Sequence, residues 1–319
     1  MAWGDYEKAQ PLAEQALTLA ATKSSSDFEL ASCLIDLAYL YTNQGKLTCA
    51  EEMCKQGLQL QEDLYRKNHP YVAHTLRILS SVYQEQGRYR QARDVLDKAM
   101  AIMLENQPQT DSALAPFQVD IAELLVAQGS LADAEDYYSQ ALDSINDSYG
   151  PNHLYTARVL GSVAKLYTLQ RKHADAQSLI NRTFAIQKKV YGPDHHFLAP
   201  TLLTMAEISQ AMEDYGRAET LLNQALAAVE KKQGSEHPLT GRLLNALASV
   251  YVAAGRYAEA EQACQRAVQI LENSVGPDNG NTATARNNLA RLYIHQERYA
   301  EAQNLYRTAL NTMNARHER

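Results

Sequence analysis

The chain has 319 residues and a net charge of −7, with 45% of its residues apolar and 21% charged. The acidic balance argues against wholesale nucleic-acid binding, and no run approaches the roughly 18 apolar residues that a membrane helix needs. The N-terminus lacks a basic–apolar signal layout, and Cys33, Cys49, Cys54 and Cys264 show no paired spacing, which favours a reducing, cytoplasmic setting.

An alanine recurs at one point of a repeated pattern, at Ala9, Ala50, Ala92, Ala134, Ala176, Ala218, Ala260 and Ala302; the first step is 41 residues and every later one 42. A fixed period of this length means stacked copies of one supersecondary unit, each packing only on its neighbours. Taken in chain order, Trp3-Gly4-Asp5-Tyr6 matches a mid-repeat turn, so residues 1–22 read as a lone second helix (helix B) of a truncated first repeat. Residues 27–319 then hold seven full A–B helix pairs of about 42 residues, giving fifteen antiparallel helices without β-sheet and a single array over 1–319.

Residues 234–273 illustrate the unit. Gly234-Ser235-Glu236-His237-Pro238 is a break, since glycine tolerates a left-handed helix end and proline suits a first helical turn. Leu244, Leu247, Ala248 and Tyr251 then recur at helical spacing on helix A, and Ala260, Ala263, Cys264, Ala267, Val268 and Leu271 form the stripe of helix B. In the fourth and sixth repeats Pro116 and Pro200 fall where the other copies are already helical. Helix A is expected to start late or bend at both.

Asn287-Asn288-Leu289-Ala290-Arg291-Leu292-Tyr293 followed by Glu297-Arg298-Tyr299-Ala300-Glu301-Ala302 resembles a tetratricopeptide repeat. The 42-residue period, with the linker Tyr149-Gly150-Pro151-Asn152-His153 repeated as Tyr191-Gly192-Pro193-Asp194-His195, is similar to the longer variety found in kinesin light chains. The resemblance covers almost the whole chain and implies an all-α, right-handed superhelical solenoid of antiparallel helix pairs.

Several constellations read as structure rather than chemistry. His69, His153, His195 and His237 stand at the same point of different repeats. Neighbouring helices pack about 8–10 Å apart, whereas zinc ligands converge on one ion at about 2.0–2.1 Å, so these histidines read as helix-start residues. Cys49 and Cys54 diverge by about 140° around a helix. No phosphate-binding glycine loop and no nucleophile–base–orienter set is legible. No catalytic residue, metal ligand or cofactor is expected.

The resemblance assigns the concave groove to helix A, at the residues two before, and two and five after, the first leucine-type core position, of which the first two are readable here. Those positions are Ile35 and Tyr39, Arg77 and Ser81, Val119 and Glu123, Gly161 and Lys165, Leu203 and Glu207, Asn245 and Ser249, Asn287 and Arg291, with His74, Arg158 and Arg242 one turn earlier. Arg77, Arg158, Lys165, Arg242 and Arg291 make this groove basic in an acidic body, which favours acidic ligands by field focusing; the alternative is an ordinary solvated helix face. Asn245 and Asn287 stand where the resemblance implies pairing with a peptide main chain, and an amide offers both donors and an acceptor for it.

The expected function is therefore a non-enzymatic, cytoplasmic adaptor that binds an extended, acidic peptide segment of a partner protein, with no nucleic acid or membrane involved. The expected site is Arg77, Arg158, Lys165, Arg242, Asn245, Asn287 and Arg291, strongest in the last two repeats. The alternative is a regulatory or oligomerisation arm of a larger multidomain signalling protein. The uncapped N-terminal end is a further candidate for self-association.

Overall fold

The computed structural model describes residues 6–22, 27–44, 46–106, 111–277 and 279–317. Among these residues lie fifteen α-helices and no strand. They are α1 (Tyr6–Thr22), α2 (Asp27–Asn43), α3 (Leu47–Tyr65), α4 (Pro70–Glu85), α5 (Tyr89–Asn106), α6 (Asp111–Ala127), α7 (Leu131–Tyr149) and α8 (Leu154–Leu169). There follow α9 (His173–Tyr191), α10 (Ala199–Ala211), α11 (Tyr215–Gln233), α12 (Pro238–Ala253), α13 (Tyr257–Val275), α14 (Gly280–His295) and α15 (Tyr299–His317). Their order is that of the sequence pattern, and the fold is an all-α repeat solenoid. None of the described helices is long and apolar enough to cross a membrane. The fold divides into two compact units, Met1–Val159 and Leu160–Arg319, with the division inside α8.

The recurring alanines explain how the helices approach. Ala50, Ala92, Ala134, Ala176, Ala218 and Ala260 are all 0% exposed, and Ala302 is buried as well. Ala9 lies outside the residues whose side chains are described. Seven residues on, about two helical turns, Ala99, Ala141, Ala225 and Ala267 are also fully buried. Larger side chains here would hold the helices apart. Gly241 marks another close approach, because a Cβ there would sit 2.8 Å from Leu271 Cγ.

The linkers are built alike. His69, His153, His195 and His237 each accept the backbone N–H two residues on, through Nδ1, at 3.1–3.2 Å. Asn279 does the same with its amide oxygen at 2.8 Å. These side chains satisfy orphan donors at the start of helix A, so the expectation of a helix-start role holds. The rings of Tyr65, Tyr149 and Tyr191 stack on His69, His153 and His195. Thr156, Thr240 and Thr282 donate to the carbonyls of Gly150, Gly234 and Gly276, tying the linker to the helix that follows.

The two prolines behave differently although they occupy the same repeat position. Before Pro200 the chain forms a short 3-10 turn (His196–Leu198), and α10 starts at Ala199 with the proline in its first turn. Pro116 contradicts the expectation of a late start: α6 runs from Asp111 with the proline inside it. Proline lacks only one N–H near a helix start, and the buried Leu114, Ala115 and Phe117 around it anchor that turn in the core.

Candidate peptide-binding surface

The A helices present two columns of side chains whose fates differ. In the column of Tyr39, Ser81, Glu123, Lys165, Glu207, Ser249 and Arg291, every member is exposed except Ser249, which is half-buried and accepts a hydrogen bond from Gln210. The column of Ile35, Arg77, Val119, Gly161, Leu203, Asn245 and Asn287 is mixed. Val119 and Leu203 are buried, so these two assigned groove positions belong to the core. Ile35, Arg77, Gly161 and Asn245 are half-buried, and Asn287 stays exposed.

In the unit Met1–Val159, Arg77 and Arg158 flank a carboxylate. Arg77 Nη1 on α4 donates to Asp120 Oδ2 on α6 at 3.2 Å. The Arg77 guanidinium also lies 5.9 Å from the Phe117 ring, and its Nε is buried without a hydrogen-bond partner. Burial pushes the Asp120 carboxyl up to about 6, with Glu123 adding to the shift and Arg77 and Arg158 opposing it. His74 is held below its ordinary value by burial and by the neighbouring charge of Arg77. Burial raises Tyr155, against the pull of Arg158 and Arg77.

In the unit Leu160–Arg319, Glu207 takes the central place. The protein packed around it raises its carboxyl even though it is open to solvent, and Lys165 and Arg242 act in the opposite sense. Arg242 is pushed down by burial, with Glu207 opposing. Asn245 Oδ1 accepts from Asn288 Nδ2 at 3.0 Å, which leaves the Asn245 amide hydrogens available for an incoming acceptor. Asn287 and Arg291 lie one turn apart on α14, both exposed.

The expected residues therefore fall into two groups: Arg77 with Arg158 around Asp120, and Lys165 with Arg242 around Glu207, followed by Asn245, Asn287 and Arg291. Asp120 escaped the sequence reading because it stands one residue past the assigned column. An acid inside the apolar run Phe117-Gln118-Val119-Asp120-Ile121-Ala122 was the available signal. Arg286 was also missed. It occupies the column of the core leucines Leu160, Leu202 and Leu244, is buried, and binds Glu272 at 2.7 Å and the carbonyl of Pro277 at 3.1 Å. Among the described residues no three His, Cys, Asp or Glu side chains gather where they could hold a metal ion.

The tetratricopeptide repeat profile matches residues 29–105, 114–189, 163–231, 197–273 and 239–315. Kinesin light chain-related protein 1 of Arabidopsis thaliana is 27% identical over 138 residues, which is 41% of this chain and 22% of that protein. The chain thus aligns with less than a quarter of the curated relative's length. Among solved structures, the apo quorum sensor NprR from B. thuringiensis superposes with a TM-score of 0.66 at 14% identity, over 97% of this chain and 83% of that one. The Rap protein complexed with Competence and Sporulation Factor gives 0.61 at 16% identity, over 98% and 94%. BtubC (BKLC) from P. vanneervenii gives 0.54 at 19% identity, over 72% and 90%. At these identities the likeness is one of fold.

Proposed function

The chain belongs to the tetratricopeptide repeat family, of the kinesin-light-chain-like kind and typically interaction scaffolds, and from that premise we propose a non-enzymatic cytoplasmic adaptor that holds an extended, acidic segment of a partner protein on its A-helix surface. The observation that carries this reading is the contrast within single helices. On α14, Leu289, Ala290 and Leu292 are buried while Asn287 and Arg291 remain exposed beside them. A surface of this kind offers cationic donors and amide donors to a chain lying across successive helices. The strongest part is the stretch Arg242, Asn245, Asn287 and Arg291, where charge and main-chain pairing coincide.

The reading is tested by titrating an acidic peptide library against wild type, Arg291→Ala and Asn287→Ala. Loss of about 1.5–3 kcal/mol of binding on removing Arg291 is expected where water is excluded, and less where solvent screens the contact. Equal affinity for all three proteins would move the binding surface elsewhere. The second reading is a regulatory or oligomerisation arm of a larger multidomain signalling protein. It makes the same use of the surface but adds catalysis outside this chain.

A further inference from the structure

We propose that Arg77 and Arg158 form a subsite for one carboxylate side chain of the bound segment, and that Asp120 is its resident stand-in, released when that side chain arrives. The inference rests on the A-helix surface being the binding face, and it adds how one part of that face is gated. Arg77 carries five N–H donors in a planar fork. Its one described hydrogen bond goes through Nη1 to Asp120, and its Nε is buried without an acceptor. A fork so placed can take a second carboxylate, or exchange the first for one that meets it in two-point geometry.

Asp120 is poorly suited to keep the place. Its side chain is only 18% exposed, and Glu123 lies one turn away on the same helix. The groups around it are Arg77 from α4 with His74 beside it, Glu123 from α6, and Arg158 with Tyr155 from α8. The α5 side meets α6 through Ala99, Ile102 and Met103, and the α7 side through Gln140 on Gln118. Two cations and two anions thus cancel while Asp120 is ionised. Once Asp120 takes up a proton, Arg77 faces a neutral acceptor in place of an anion and the cluster carries surplus positive charge, so carboxylate binding and proton uptake are linked. The raised carboxyl of Asp120, at about 6, puts that step within reach of mild acid.

The other unit supplies an internal comparison. Asn245 and Asn288 stand in the same repeat positions as Arg77 and Asp120, and they are joined as a neutral amide pair at 3.0 Å, with the direction reversed: Asn288 donates to Asn245. The register of neighbouring A helices therefore holds without an ion pair. The charge on Asp120 is not required for packing, which leaves it free for a gating role.

The test is calorimetric titration of the full chain with an end-blocked octa-aspartate peptide at pH 7.5 and 5.5, in pairs of buffers that differ in ionisation enthalpy. Wild type is expected to bind about tenfold tighter at the lower pH, because only the fraction with Asp120 uncharged yields its place to the incoming carboxylate, and to take up protons on binding near neutral pH. Asp120→Asn should bind at pH 7.5 about as wild type does at 5.5. Arg77→Ala should lose that increment. Proton uptake is read on the unaltered protein, so it does not depend on a variant folding. Binding by wild type without proton uptake, or an Asp120→Asn affinity equal to wild type at pH 7.5, would overturn the stand-in while leaving the binding face intact. Full affinity in both Arg77→Ala and Arg291→Ala would overturn the binding face itself.

Discussion

Arg88 lies 4.3 Å over the ring of Tyr83 and donates from Nη1 to Glu51 Oε2 at 2.6 Å, so one cation joins the end of its own helix A to the helix B before it. Arg256 repeats the arrangement with Tyr251 and Glu219, and Arg298 with Tyr293 and Glu261. Burial alone would raise Glu51, but hydrogen bonds from Lys55, Gln86 and Arg88 overcome it and hold the carboxyl at about 2. A carboxyl held below its ordinary 4.5 stabilises the fold fully above that value, and the contribution fades as pH falls through about 2. Glu51→Gln is expected to cost about 2 kcal/mol at neutral pH. Urea midpoints measured from pH 7 to pH 3 should show the gap between the two proteins narrowing below pH 4.5. A gap that stays constant over this range would mean the ion pair contributes nothing.

Arg66 sits in a conformation that suits glycine. It has φ 74° and ψ 158°, at the corner where Gly150, Gly192, Gly234 and Gly276 have φ of 85–93° and ψ of 161–163°. A side chain there is strained by about 1–3 kcal/mol. Arg66→Gly should raise stability by about 1 kcal/mol, after allowance for the entropy glycine adds to the unfolded chain. A thermal melt that moves downward would show the corner to be relaxed in the wild type.

Register was the legible part of this fold. Ala50 to Ala302 and the linker histidines gave the helix order, because packing and capping impose one residue type at one position of every copy. What a column cannot state is which way an atypical member turns. Val119 and Leu203 are buried in the core where Arg77 and Asn245 are only half-buried. Pro116 and Pro200 meet one problem with two solutions, chosen by the residues packed around each. The cations of the proposed binding surface were legible from the columns. Asp120, which answers one of them, was not, since its partner lies 43 residues earlier on another helix.

Arg286 replaces a core leucine and is only 5% exposed, held by Glu272 and the Pro277 carbonyl. Arg286→Leu restores the column and is expected to be neutral or stabilising, as replacement of a buried ion pair by apolar residues often is. Glu272→Ala leaves the guanidinium buried without its anion and should destabilise by about 3 kcal/mol. Chemical denaturation of the two variants checks the order, and a less stable Arg286→Leu than Glu272→Ala would reverse the assignment.

On α1, Leu12 and Leu19 are 66% and 53% exposed, and Ala16 is exposed although its counterparts Ala99, Ala141, Ala225 and Ala267 are fully buried. A contiguous apolar face of this kind tends to be covered by a partner, and a second copy of the chain is the occupant expected here. Sedimentation over a concentration series should show association that Leu12→Glu weakens. A wild-type protein that stays monomeric throughout would leave the face without this role.

Site-specific photocrosslinking reads directly whether the A helices carry the bound segment. A photoreactive residue placed at Ser249 or Arg291, on the A-helix face, or at Arg266 or Glu301, on helix B, is exposed to a labelled octa-aspartate peptide. If the A helices carry the segment, crosslinks form from Ser249 and Arg291, competed by excess unlabelled peptide, and none above background from Arg266 or Glu301. Crosslinks confined to the helix-B positions would contradict that placement.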